Sequence, residues 1–306
     1  MSDRRVTPAV EQISALREKT QGPYRRFNDI GGLLYGDWLS TYVTWLFLKL
    51  GIGPTVASLG MIACGVLGVV LPPFDGGWAV AGCLLMMAFY IFDCVDGEVA
   101  RYHGVERYIW TFYDFFCDVC IKSAFFVSLG LHAMLHSGQN WTMLLGVAPA
   151  LAMLFKKFLD LAPIFLTAQQ VLMRFPRERE VILRDLAPDP SAADETAGRP
   201  QTPEQPASRR ETIQRHGSAI GILRTILVNF HLAVIMFLFA AILDLYLAAP
   251  VLFGQAVSVK TLALALYAAS FSYDFVDRMI TATRHGRFMQ NSRAFVEAAH
   301  KFRLDE

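Results

Sequence analysis

The stretch DCVDGEVARYHGVERYIWTFYDFFCD, residues 93–118, connects two long apolar segments and carries two pairs of aspartates: Asp93 with Asp96, and Asp114 with Asp118. The first pair is three residues apart and the second four, so on helices the members of each pair share one face. Gly104, in a polar connection, indicates a turn between the helices. We therefore expect two antiparallel helices whose aspartate pairs face each other near a membrane surface.

Four carboxylates in such a place need a counter-charge. An aspartate near the bilayer core costs about 2.5–3.5 kcal/mol, and like charges a few ångströms apart repel each other. Arg101 alone cannot neutralise four of them. Clustered oxygen ligands favour Mg²⁺ or Mn²⁺, and two ions about 3.5–4 Å apart can clamp a phosphoryl group under attack. The alternative is that these aspartates cap helices or contact lipid headgroups.

The stretch resembles the signature of one family, the CDP-alcohol phosphotransferases. That signature is D, two residues, D-G, two residues, A-R, eight residues, G, three residues, D, three residues, D. Seven positions of this sequence fit it: Asp93, Asp96, Gly97, Ala100, Arg101, Asp114 and Asp118. The family's second glycine is replaced here by Trp110.

The resemblance implies a transferase that moves a phospho-alcohol or phosphatidyl group from a CDP-activated donor to a hydroxyl acceptor and releases CMP. It makes four aspartates the ligands of Mg²⁺ or Mn²⁺, expected as two ions: Asp93, Asp96, Asp114 and Asp118. Asp118 would also be the general base for the acceptor hydroxyl. Five residues would line the nucleotide and phosphate site: Gly97, Ala100 and Arg101 in the motif, and Thr55 and Ser58 where the family often has Asn and Thr.

The same resemblance implies phospholipid or related phospho-polyol lipid biosynthesis. The expected partners are a CDP-alcohol or CDP-diacylglycerol donor, a hydroxyl acceptor and membrane lipids, and a homodimer is compatible with the family. The net charge of +1 gives no indication of nucleic-acid binding, and no nucleic acid is expected. Whether the lipid is the donor or the acceptor stays open.

The composition is that of a membrane protein. Of the 306 residues 54% are hydrophobic, the mean hydropathy is +0.37, and the apolar residues are gathered in long runs. We expect an all-α, polytopic integral membrane protein. Six transmembrane helices are predicted, at residues 54–71, 78–98, 108–136, 141–166, 219–248 and 257–277.

Juxtamembrane amphipathic helices are predicted at both ends of the chain. Residues 8–19 place apolar side chains at helical spacing, and Thr7 and Pro8 suit its N-cap and first position. Residues 38–50 are apolar but too short to span a bilayer. The tail from Arg278 alternates cations with phenylalanines and is typical of an interfacial helix.

The segment 176–217 is rich in Pro, Glu, Arg, Ser and Thr, so it cannot bury a core and is predicted to be disordered. The predicted organisation has five parts: 1–53, cytoplasmic and juxtamembrane helices; 54–175, transmembrane helices 1–4 with the aspartate motif; 176–217, a cytoplasmic linker; 218–280, transmembrane helices 5–6; and 281–306, an interfacial tail.

The distribution of lysine and arginine predicts the orientation. The loops after the first, third and fifth spans contain neither residue, whereas the intervening connections and both ends hold nearly all of them. By the positive-inside rule, both termini and the aspartate site are cytoplasmic. In a bacterium the protein would lie in the inner membrane.

Two other functions compete with a transferase. A membrane transporter could use intramembrane aspartates to carry ions, although these aspartates lie at the membrane edge and no inverted repeat is apparent. A degenerate, non-catalytic family member is the other, and Trp110 at the glycine position is the observation in its favour. Release of CMP from a CDP-alcohol would distinguish the transferase from both.

Overall fold

The structure is a computed structural model that describes residues 12–22, 35–105, 108–174, 227–247, 251–252 and 255–284. These residues are almost entirely helical, which confirms the all-α prediction at the level of fold class. In chain order the helices are α1 (Ile13–Gln21), α2 (Asp37–Leu50), α3 (Pro54–Val70), α4 (Gly77–His103), α5 (Tyr108–Ser137), a 3₁₀ turn (Asn140–Met143), α6 (Leu144–Arg174), α7 (Phe230–Tyr246) and α8 (Val259–Arg284). Two short antiparallel strands, β1 (Val251–Leu252) and β2 (Gln255–Ala256), precede α8.

Three helical stretches in the described part of the chain are long and apolar enough to cross a membrane: Gly77–His103, Tyr113–Ser137 and Asn140–Ala162. They correspond to the second, third and fourth predicted spans. Helices α3 and α7 are apolar but have only 17 residues each. Helix α8 is long, but because of its polar side chains it is not apolar enough to be counted with these three. Six spans therefore remain a prediction, of which three are supported.

Helix ends follow local capping chemistry. Pro54 occupies the first turn of α3, as predicted. Gly104 ends α4 in the left-handed conformation, with φ 66°, and its amide donates to the Arg101 carbonyl. Asn229 caps α7 by accepting from the Leu232 amide.

Two predicted segments are described only in part. Within the predicted fifth span, about 219–248, Asn229 caps α7 and Phe230 is its first residue. Helix α1 begins at Ile13, after the extended backbone of Gln12, and residues 8–11 of the predicted N-terminal helix lie outside the described residues. The linker up to residue 217 and the tail beyond 284 lie outside the described residues.

The chain divides into two compact units, residues 1–150 with 200–271 and residues 151–199 with 272–306. In the first unit, small residues allow close helix packing. A Cβ atom at Gly65 of α3 would lie 2.6 Å from the Ile121 side chain of α5, and one at Gly146 would lie 2.3 Å from the Phe126 carbonyl oxygen. Helix α4, which carries the first aspartate pair, packs against α1, α2, α3 and α7.

The end of α5 remote from the aspartates is tied down by polar contacts. His132 is buried, with Nδ1 3.3 Å from the Pro73 carbonyl oxygen and Nε2 3.4 Å from Ser258 Oγ. Its ring stacks on His136 with the centroids 5.7 Å apart. These contacts explain His132 as part of the packing between α5, the α3–α4 connection and the start of α8.

Candidate active site

Helices α4 and α5 bring the four aspartates together. Asp114 shares a side-chain hydrogen bond with Asp93 and interacts electrostatically with both Asp96 and Asp118. Gly104, in the left-handed conformation, ends α4 between the two pairs. The predicted approach of the two pairs is therefore present in the structure.

Three of the carboxylates have defined surroundings. Asp96 is buried, and its Oδ2 accepts a hydrogen bond of 2.7 Å from Ser58 Oγ on α3. Asp118 forms an ion pair with Lys122, one turn further along α5. Asp114 Oδ1 is buried and makes no hydrogen bond to the described residues. Buried oxygens without a partner are rare, so this atom is placed where a ligand would satisfy it.

The chemistry of this donor set suits a divalent cation. A hydrogen bond between two carboxyl groups needs a proton on one of them, and a cation shared by both removes that need. Among the described residues, however, no group of three or more His, Cys, Asp and Glu side chains is already arranged around one point. Ser58 holds Asp96 and Lys122 holds Asp118. Binding of an ion by all four aspartates would therefore require some of these side chains to change rotamer.

Arg101 lies next to the first aspartate pair and is exposed. Its Nε donates a hydrogen bond of 2.8 Å to the backbone carbonyl of Thr20 at the end of α1. A Cβ atom at Gly97 would lie 2.9 Å from Arg101 Nη1, so the absent side chain of Gly97 leaves room for the guanidinium. Ala100, which lies between Gly97 and Arg101 in the sequence, is half-buried.

The two predicted residues of α3 differ in their surroundings. Ser58 is buried and belongs to the aspartate cluster through its bond to Asp96. Thr55, in the first turn of the helix, is exposed. Trp110 lies in α5 one turn before Asp114, and its side chain is outside the described part of the structure.

Comparison with known proteins gives a match over this region. Residues 52–169 match the model of the CDP-alcohol phosphatidyltransferase family. The chain carries a CDP-alcohol phosphatidyltransferase domain. The matched residues run from the start of α3 into α6 and include the four aspartates, which confirms the resemblance seen in the motif. A comparison with curated proteins returned no match.

The family supplies a coarse description of the chemistry. Its members are transferases that use a CDP-alcohol donor and a hydroxyl acceptor, and they generally require divalent metal ions. The oxygen donors around Asp114 agree with such a requirement.

One residue of the phosphatidyltransferase domain was not singled out from the sequence. Glu98 follows Gly97 in the motif, and its side chain is buried beside α1 and α2. Its carboxylate accepts hydrogen bonds from three side chains: Gln21 (2.8 Å), Ser40 (2.5 Å) and Thr44 (2.7 Å).

The sequence of α2 contains a pattern from which this buried carboxylate could have been predicted. Four polar residues recur at helical spacing in an otherwise apolar helix: Asp37, Ser40, Thr41 and Thr44. Such a stripe predicts a buried polar partner.

The cations of α6 belong to the second compact unit. Lys156 lies 4.0 Å from Asp274 on α8, and Arg278 donates to the same carboxylate at 2.8 Å. Arg278 also lies 3.7 Å from Asp160. Lys156 therefore lies beside a buried carboxylate inside that unit, which it shares with Arg278.

Proposed function

We propose that the chain is a membrane enzyme that transfers a phospho-alcohol or phosphatidyl group from a CDP-activated donor to a hydroxyl acceptor and releases CMP. The observation that carries the proposal is that Asp114, whose Oδ1 is buried without a hydrogen bond to the described residues, interacts with the other three aspartates inside a region that matches the family. Bringing four carboxylates close together at a membrane is costly unless a cation binds them, because like charges repel each other.

The roles follow from the chemistry of the reaction. The acceptor oxygen forms a bond to the phosphorus that bears the transferred alcohol, and the bond from that phosphorus to the bridging oxygen of CMP breaks. Asp118 takes the proton of the acceptor hydroxyl. Arg101 binds the donor phosphate, and Gly97, Ala100, Thr55 and Ser58 border the nucleotide.

Asp93, Asp96, Asp114 and Asp118 would hold the Mg²⁺ or Mn²⁺ ions, expected as two. When bound, such ions neutralise the carboxylates and the negative charge that develops on the diphosphate. Lys122 positions the Asp118 carboxylate through their ion pair. Ser58 fixes the rotamer of Asp96 through its hydrogen bond.

The proposed setting is a membrane whose cytoplasmic side bears the site. Three helices of the described chain are long and apolar enough to cross a bilayer. The lysine and arginine distribution supports cytoplasmic termini and a cytoplasmic site, where CDP-activated substrates are made. Lipid biosynthesis is the pathway class that fits a membrane-embedded transferase of this family.

The test is release of CMP by the purified full-length chain in detergent or vesicles. The chain is offered a panel of CDP-alcohols and CDP-diacylglycerol with Mg²⁺ or Mn²⁺, and the lipid product is identified by mass spectrometry. CMP release that depends on donor, acceptor and metal supports the proposal. Absence of CMP release with every donor would contradict it and favour the non-catalytic alternative raised by Trp110.

A further inference from the structure

A buried polar contact joins the motif helix to α1 close to Arg101. We infer that Glu98 and Gln21 are positioning residues, which anchor α1 so that the Thr20 carbonyl holds the Arg101 guanidinium in place for the donor phosphate. The inference rests on the proposed role of Arg101 and adds residues to which the family motif gives no role.

Glu98 is the centre of this contact. Its side chain is 2% exposed, and both carboxylate oxygens accept hydrogen bonds. Oε1 accepts from Gln21 Nε2 at 2.8 Å and from Ser40 Oγ at 2.5 Å, while Oε2 accepts from Thr44 Oγ1 at 2.7 Å. A buried carboxylate is tolerated only when such donors surround it. The helices that carry the donors must therefore keep their positions relative to the carboxylate. Glu98 thus fixes α1 and α2 relative to α4.

Gln21 supplies the bond from α1. It is buried, and besides Glu98 its Nε2 approaches the Asp37 carbonyl oxygen at 2.7 Å and Thr41 Oγ1 at 2.9 Å. Its Oε1 accepts from Arg17 Nε at 3.1 Å. Both ends of the amide are therefore used, so the side chain of Gln21 is held in one orientation.

Apolar packing complements the polar contact. Leu16 lies one turn before Thr20 and is fully buried in a cluster with Leu48, Ala57, Val95 and Val99. The nine residues of α1 are too few for a helix that is stable by itself. Apolar contacts are non-directional, so they hold α1 against α4 without setting its rotation. The hydrogen bonds of Gln21 supply that directional constraint.

The connection to Arg101 runs through the backbone. Thr20 is the residue next to Gln21, and its carbonyl is among the last four of α1, which by position lack an intrahelical donor. This end of a helix carries partial negative charge and favours a cation. Arg101 Nε donates to the Thr20 oxygen at 2.8 Å, a bond that does not use either Nη group. A displaced α1 would therefore displace the guanidinium.

The test measures CDP binding to the full-length chain purified in detergent with Mg²⁺, because CDP is common to all CDP-alcohol donors. We expect Gln21→Leu and Glu98→Leu each to weaken CDP binding about tenfold, the loss associated with one charge-assisted hydrogen bond. Glu98→Gln should restore most of the affinity, because its amide oxygen still accepts from Gln21. Ser128→Ala is the matched control, because Ser128 is also buried and its hydroxyl donates to a backbone carbonyl, that of Val69; it should bind CDP like the wild type.

A double-mutant cycle separates positioning from general stability. If Gln21 acts through Arg101, then Gln21→Leu causes no further loss of CDP affinity in an Arg101→Gln background. Equal losses in both backgrounds, or wild-type CDP affinity in Gln21→Leu, would overturn the inference while the wild type still binds CDP. A wild type that binds no CDP and releases no CMP would instead refute the proposed function. Melting temperatures of all variants show whether each remains folded.

Discussion

Ser58 offers a sharp test of the aspartate site because its hydroxyl contacts one carboxylate and both atoms are buried. Ser58 Oγ donates to Asp96 Oδ2 at 2.7 Å, and Ser58 is 3% exposed. We expect Ser58→Ala to remove one hydrogen bond that orients Asp96 and so to weaken binding of the ion that Asp96 is proposed to hold.

The magnitude follows from the type of bond. A hydrogen bond to a charged group contributes about 1.5–3 kcal/mol, and loss of about 2 kcal/mol corresponds to roughly a 30-fold weaker equilibrium. Partners of metal ligands typically contribute about 10- to 100-fold in metal affinity. Both estimates predict that Ser58→Ala raises the Mn²⁺ concentration needed for half-maximal activity by about one to two orders of magnitude.

The assay is CMP release by purified protein at a series of Mn²⁺ concentrations with saturating donor. Ser58→Thr keeps a hydroxyl and should stay close to the wild type. Ser128→Ala is a matched control, because Ser128 of α5 is also buried and its hydroxyl donates to the backbone carbonyl of Val69 on α3. If Ser58→Ala has the Mn²⁺ dependence of the wild type, Asp96 is not positioned by Ser58 for metal binding and the reasoning fails.

Three further predictions concern the metal, the topology and the departure from the family motif. Asp114→Asn should abolish CMP release and weaken Mn²⁺ binding while the chain still inserts and folds, and full activity in excess chelator would contradict this. On a cysteine-free background, a cysteine at position 190 should react with reagents on the cytoplasmic side and one at position 139 on the outside; external labelling at 190 would reverse the orientation. Trp110→Gly should keep CMP release and broaden acceptor use, because the family has no side chain there. A gain of activity by Trp110→Gly over an inert wild type would instead identify a degenerate member.

Local chemistry is what made the helices predictable. Pro54 starts α3 and Gly104 ends α4 as expected, because a proline ring and a left-handed glycine act on the backbone of their own residues. The second, third and fourth spans follow from long apolar runs. The cap at Asn229 lies inside the apolar run of the predicted fifth span, where hydropathy alone gives no sign of it.

The helical class, the resemblance to the CDP-alcohol phosphotransferases and the residues of the aspartate cluster can be read from the sequence alone, since helical spacing puts each pair on one face. Which side chains hold those carboxylates is visible only in the folded chain. Ser58 reaches Asp96 across 38 residues of sequence, and Gln21 reaches Glu98 across 77. Such contacts depend on how α1, α2 and α3 pack against α4, and no local periodicity encodes that packing. For this reason the sequence shows only that Glu98 lies within the motif. Its hydrogen bond to Gln21 of α1 is seen only in the structure.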